Sequence, residues 1–222
     1  MKITEGCFEA TGHTSIICDF SPPRSGDSAV VTQAQINADF ISVAYNPGRA
    51  VRTNSAMLAA GIQQSGKDAV FTLATRDMNK LAVQSLLLGA QLLGLQNVVV
   101  VQGDPFGEQD QARVATVNDY HPTGLISAIV QMNQGQDFKE AKLRTPSDFC
   151  IGGAVDLGRG IEEEAQLAVR KVQAGAEFLI TQPIFDVDHV ARYRESYAYH
   201  AGKAGTLPIY FGLQILEQDG VL

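Results

Sequence analysis

Apolar residues in this chain fall into short compact runs, separated by longer stretches in which they recur at helical spacing. The alternation is clearest between residues 71 and 106. Residues 71–74 read as a buried strand, and Thr75-Arg76-Asp77 supplies candidate N-caps and a carboxylate for a helix start. From 79 to 93 apolar positions recur at helical spacing, as Leu81, Leu88 and Leu92 or as Ala82, Leu86 and Leu93, with no proline to break the run. Gly94 suits the left-handed position just past a helix, and Asn97 leads into a second apolar strand at 98–101. Two apolar strands joined by one helix predict a parallel pair in a sheet covered by helices.

The same alternation runs along the rest of the chain. Strands are predicted at 15–20, 40–45, 149–155, 178–181 and 209–213. Helices are predicted at 29–38, 55–65, 123–132 (capped by Thr123), 162–174 and 187–202. The polar segment 107–113 reads as a mobile loop, and 133–147 as a polar excursion. Gly152-Gly153 inside the fifth strand allows a bulge or the close approach of a ligand. Seven strand signals alternating with helices predict an α/β fold of the (β/α)8, TIM-type barrel kind, a single domain spanning residues 1–222 with its eighth unit missing or incomplete.

Composition narrows the setting. A hydrophobic content of 45% and a charged content of 18% are ordinary for a globular protein. The net charge of −7, with no cluster of Lys and Arg, argues against a nucleic-acid partner. Cys7, Cys18 and Cys150 are isolated and odd in number, so a disulfide framework or zinc site is not expected and a reducing, cytoplasmic location fits best. No run approaches the ~18 apolar residues of a membrane span, and the N-terminus lacks an apolar signal core.

In a parallel barrel the chemistry gathers at the C-terminal ends of the strands. That rule collects Asp19, Asn46, Thr75, Gln102-Gly103-Asp104 and Gln182 at one polar mouth. The four histidines (His13, His121, His189, His200) are scattered, and no metal site is read from them. Neither a nucleophile elbow nor a phosphate-cradling glycine motif is present. Each residue also has an ordinary structural reading. Gly103-Asp104-Pro105 is good turn chemistry, Asp19 before Ser-Pro-Pro can anchor a loop, Arg76-Asp77 can cap a helix, and Lys171 can be a solvated charge at a helix end. Gln182 before Pro183 can simply hydrogen-bond at the mouth.

Taken together in order, these residues resemble the methylenetetrahydrofolate reductase family. The resemblance is carried by Arg76-Asp77 with Asn79, by residues 86–94 and 97–105, by Phe149-Cys150-Ile151-Gly152, by residues 170–176, and by Ile180-Thr181-Gln182-Pro183 with Phe185-Asp186. It implies a flavin-linked barrel that reduces methylenetetrahydrofolate to methyltetrahydrofolate, with FAD as cofactor and NADH or NADPH as electron donor. It further implies that Asp19 supports protonation of the folate N10, and that Asp104 acts beside the flavin and the pterin. Gln182 is then a folate contact, Lys171 a contact to the cofactor phosphates, and Gln102 and Gly103 backbone contacts to the isoalloxazine. Thr72 falls near the flavin where the family commonly has His. The chain also departs from the family in having Asp19 for Glu, Ala44 for Thr, and Asp156-Leu157-Gly158 for an Asn-Pro segment. A folate substrate and a homo-oligomer or larger complex are the implied partners. Two other readings remain open: a non-catalytic pterin- or flavin-binding subunit, and direct reduction by nicotinamide.

Overall fold

In the computed structural model, which describes residues 1–6, 14–202 and 207–215, seven strands form one sheet in the order of the sequence, every neighbouring pair parallel. The strands are β1 (Ile17–Phe20), β2 (Phe40–Val43), β3 (Asp68–Ala74), β4 (Asn97–Val101), β5 (Cys150–Val155), β6 (Phe178–Pro183) and β7 (Ile209–Gly212). The α-helices among the described residues are α1 (Ile3–Gly6), α2 (Val30–Gln33), α3 (Ser55–Gln64), α4 (Lys80–Leu92), α5 (Glu108–Gln111), α6 (Pro122–Asn133), α7 (Ile161–Gln173) and α8 (Val187–Ala201). Among the described residues the seven-stranded sheet curls into a nearly closed TIM-type barrel. Across the seam the Tyr210 hydroxyl donates to Ser15 Oγ at 3.2 Å. No eighth strand is present among the described residues.

Strand alternation divides the core in two. Outward-facing Ile41, Val43, Phe71, Leu73, Val98, Val100 and Ile151 pack against the surrounding helices. Inward-facing Phe40, Val70, Val99, Cys150 and Phe178 fill the lumen, and Ile3 of α1 closes its lower end. Asn97 secures that plug, accepting from Ile3 N at 2.9 Å and donating to the Met1 carbonyl at 2.9 Å. Apolar side chains fill the lower lumen, so polar groups collect at the other end.

Several local expectations change. Predicted helix 29–38 shrinks to the single turn of α2, which carries the adjacent β-branched residues Val30 and Val31. Helix α4 starts three residues after Asp77, capped by Asn79, whose side chain accepts from Ala82 N at 2.9 Å; Thr75 and Asp77 do not cap it. His121 rather than Thr123 occupies the N-cap of α6. The polar segment after β4 contains the short helix α5. His13 and Cys7 lie outside the described residues.

The paired glycines of β5 admit protein rather than a bulge. A Cβ on Gly152 would sit 2.4 Å from the Phe178 ring, and one on Gly153 would sit 3.1 Å from Lys171 Cδ. One glycine makes room for an aromatic ring in the lumen. The other lets a lysine stem cross the outer face of the strand.

Candidate active site

The loops after the strands surround a cavity of about 850 Å³ at the C-terminal mouth. That volume falls in the range of pockets that enclose small organic ligands, about 300–1,000 Å³. Thr72, Gln102, Gly103, Asp104, Lys171 and Gln182 all line it. Six of the seven site residues that the resemblance implied therefore meet at one place, joined by Asn46 but not by Thr75. Asp19 is not among the lining residues. It faces the lumen from β1, in register with Ser42 of β2. Asp19 is accessible to solvent, yet partial loss of hydration among the surrounding protein atoms pushes its carboxyl pKa up, against the opposing effect of the Ser42 hydrogen bond.

The turn at 102–106 is held from below. Gly103 has φ of +85°, and a Cβ there would meet Arg76 Cβ at 3.2 Å and Ala74 Cβ at 3.3 Å, so only glycine fits without strain. Arg76 is 5% exposed. Its Nη1 donates to the Asp104 carbonyl at 2.7 Å, and its guanidinium lies 4.0 Å from the centroid of the Phe106 ring. Asp77 receives Nε at 2.6 Å and Nη2 at 2.8 Å. Burial works against ionisation of Asp77, but the fork of hydrogen bonds and the charge of Arg76 outweigh it and hold the carboxyl below its usual range. On the other side of the turn, Arg49 Nη1 donates to the Pro105 carbonyl at 3.1 Å.

The far wall is built by β5, β6 and α7. Lys171 lies in the last turn of α7, yet it is only 6% exposed. Its ammonium donates to the Ala154 carbonyl at the cavity edge. Burial lowers its pKa, partly offset by the charge of Glu164. Glu164 is itself buried and accepts from Asp156 N at 3.1 Å. Lys171 is thus an enclosed cation rather than a solvated helix end. Gln182 stands exposed at the mouth, where the β6–β7 register shifts between Ile180 and Pro183. Gly212 permits that approach, because a Cβ there would lie 2.7 Å from the Thr181 carbonyl.

Sequence reasoning missed Tyr45, Phe106, Asn118, His121 and Glu164, all of which line the cavity. It placed Arg76-Asp77 in the family resemblance but gave the two side chains no role beyond capping. Their one signal was an opposite-charge pair immediately after a strand, which local pattern cannot assign to a partner.

Fold and mouth together define a parallel α/β barrel with a ligand-sized polar cavity at the end where such barrels bind their substrates. Residues 6–217 match the family model of methylenetetrahydrofolate reductase, and the chain belongs to that family. Among curated relatives, methylenetetrahydrofolate reductase 2 of Schizosaccharomyces pombe is 22% identical over 185 residues, covering 82% of this chain but 29% of the yeast protein. Among solved structures, an uncharacterized protein from Clostridium thermocellum that binds two copies of 5-methyl-5,6,7,8-tetrahydrofolic acid matches with a TM-score of 0.63. That match covers 90% of this chain and 66% of the other at 13% identity. A 2,3-dimethylmalate lyase of the PEP mutase/isocitrate lyase superfamily matches with a TM-score of 0.58 at 13% identity, over 89% of this chain and 74% of its own. At these identities the structural matches speak to fold alone.

Proposed function

We propose that the mouth binds a reduced folate and, with a flavin alongside it, carries out the reduction of 5,10-methylenetetrahydrofolate to 5-methyltetrahydrofolate. The observation that carries this reading is the convergence of Thr72, Gln102, Gly103, Asp104, Lys171 and Gln182 on one cavity. Family membership and the folate-binding structural relative from Clostridium thermocellum support the choice of ligand class.

The residues present fit a flavin in two respects. The Gly103 turn brings backbone groups to the cavity wall, and the enclosed Lys171 ammonium supplies a cation for an anionic tail. Gln102, Gly103, Thr72 and Lys171 would hold the cofactor, which when bound supplies the two-electron chemistry of the reduction. Asp104 presents a carboxylate at the mouth that favours a cationic, ring-opened folate over a neutral one. Gln182 can both donate to and accept from a pterin edge. Asp19, with its raised pKa, can hold a proton for the folate nitrogen that must leave.

The departures from the family at Asp19, Thr72 and Ala44 favour a second reading, in which the chain binds a pterin without reducing it. Absorbance of the purified protein separates the two, measured from roughly 350 to 500 nm before and after addition of FAD, where only the cofactor absorbs. Flavin that binds and is bleached anaerobically by 5-methyltetrahydrofolate is the expected result. Calorimetric binding of 5-methyltetrahydrofolate without flavin uptake would replace reduction by binding.

A further inference from the structure

Arg76 is heavily engaged at the mouth, although sequence reasoning assigned its side chain no role beyond helix capping and a place in the family resemblance. Every face of its guanidinium is used. Nε and Nη2 meet the Asp77 carboxylate, Nη1 meets the Asp104 carbonyl, and the plane stacks on Phe106. Its backbone is tied in as well. Arg76 N donates to the Gln102 carbonyl at 3.2 Å, and its carbonyl accepts from Val117 N at 2.8 Å. One residue therefore connects β3, the turn that carries Asp104, and the segment leading towards α6.

The pairing with Asp77 explains why this arginine organises the mouth without neutralising it. The Asp77 carboxylate takes the fork of the guanidinium, so Asp104 receives a backbone hydrogen bond while its own carboxylate stays open. Tyr45 extends the chain of contacts to the cavity wall, since its hydroxyl bonds to Asp77. A lysine could keep the charge. It could not make a planar fork to Asp77, a third bond to Asp104 and a stack on Phe106 together.

We propose that Arg76, clamped by Asp77, is the positioning residue that sets the Asp104 carboxylate against bound folate. The proposal rests on the reading of Asp104 as a folate contact, and it extends that reading to an arginine at the cavity wall whose guanidinium is bonded to Asp77 and to the Asp104 carbonyl.

The test is a double-mutant cycle on the full chain, with the affinity for 5-methyltetrahydrofolate measured by titration calorimetry and thermal melting as the control for folding. Asp104→Asn and Arg76→Met are each expected to weaken binding about tenfold, the scale of losing one charge-assisted contact. In the Asp104→Asn background, Arg76→Met is expected to add little. Arg76→Lys should behave like Arg76→Met, because charge without the fork does not hold the turn. An Arg76→Met loss that is undiminished in the Asp104→Asn background, or full rescue by Arg76→Lys, overturns the positioning role and leaves Asp104 standing. An Asp104→Asn variant with unchanged affinity overturns the reading of Asp104, and the positioning role with it. If Arg76→Met does not fold, Asp77→Asn, which frees the guanidinium without removing it, enters the same cycle with the same criteria.

Discussion

Two residues show how little room the lumen leaves for change. Gly152 faces the Phe178 ring at a distance no side chain tolerates, and the ring is fixed among Phe40, Val70 and Val99. Gly152→Ala should therefore destabilise the fold by about 1–3 kcal/mol through overpacking, read as a lower urea midpoint at unchanged slope. Asp19 gives a prediction in pH. Partial loss of hydration raises its carboxyl pKa, so the protonated form persists to higher pH than in a fully hydrated carboxyl. If it serves as the acid, folate reduction is fastest below that pKa and falls as pH rises through it, and Asp19→Asn removes that limb of the profile. The stability term has the same sign. The folded chain favours the neutral acid, so that contribution is present at low pH and is lost as pH rises through the native pKa. Neither the ring behind Gly152 nor the neighbour of Asp19 was legible in the sequence, because both lie across a strand boundary whose register only the folded sheet sets.

At the scale of elements, helix α4 separates what periodicity encodes from what it does not. Spacing identified a helix here but named the stripes Leu81/Leu88/Leu92 and Ala82/Leu86/Leu93. The structure buries Val83, Gln84, Leu87 and Ala90, and leaves Leu81 65% and Leu92 86% exposed. A helix this apolar carries more than one candidate stripe, so its sequence does not say which one meets the sheet. The pair α7 and α8 is joined at the surface by Glu162, which accepts from Ser196 Oγ at 2.6 Å, pairs with His200, and accepts from Gln166 Nε2 at 3.2 Å. The Ser196 hydrogen bond, then those of His200 and Gln166, lower its pKa to about 2 from 4.5. A carboxylate lowered in this way stabilises the fold fully above pH 4.5 and loses that contribution as pH falls to about 2. Thermal melting of Glu162→Gln across that window is expected to show a shallower decline than the parent chain.

For the whole molecule, the sequence by itself determined the order of the elements, their parallel barrel arrangement and the family. Runs of apolar residues fix strands, helical spacing fixes helices, and right-handed crossovers leave few ways to arrange them. It also marked part of the cavity wall, since strand C-terminal ends are readable once the strands are. Only the tertiary structure decided the rest. It turned Lys171 from a helix-end charge into an enclosed cation beside Ala154, and it gave the two glycines of β5 a ring and a lysine stem to accommodate. It joined Arg76 to Asp104, 28 residues further along the chain, and left Asp19 apart from the cavity lining. The physical reason is common to these cases. Backbone conformation is set largely by neighbours within a turn or two along the chain, whereas the partner of a buried charge is set by sheet register and helix docking, which no local pattern records.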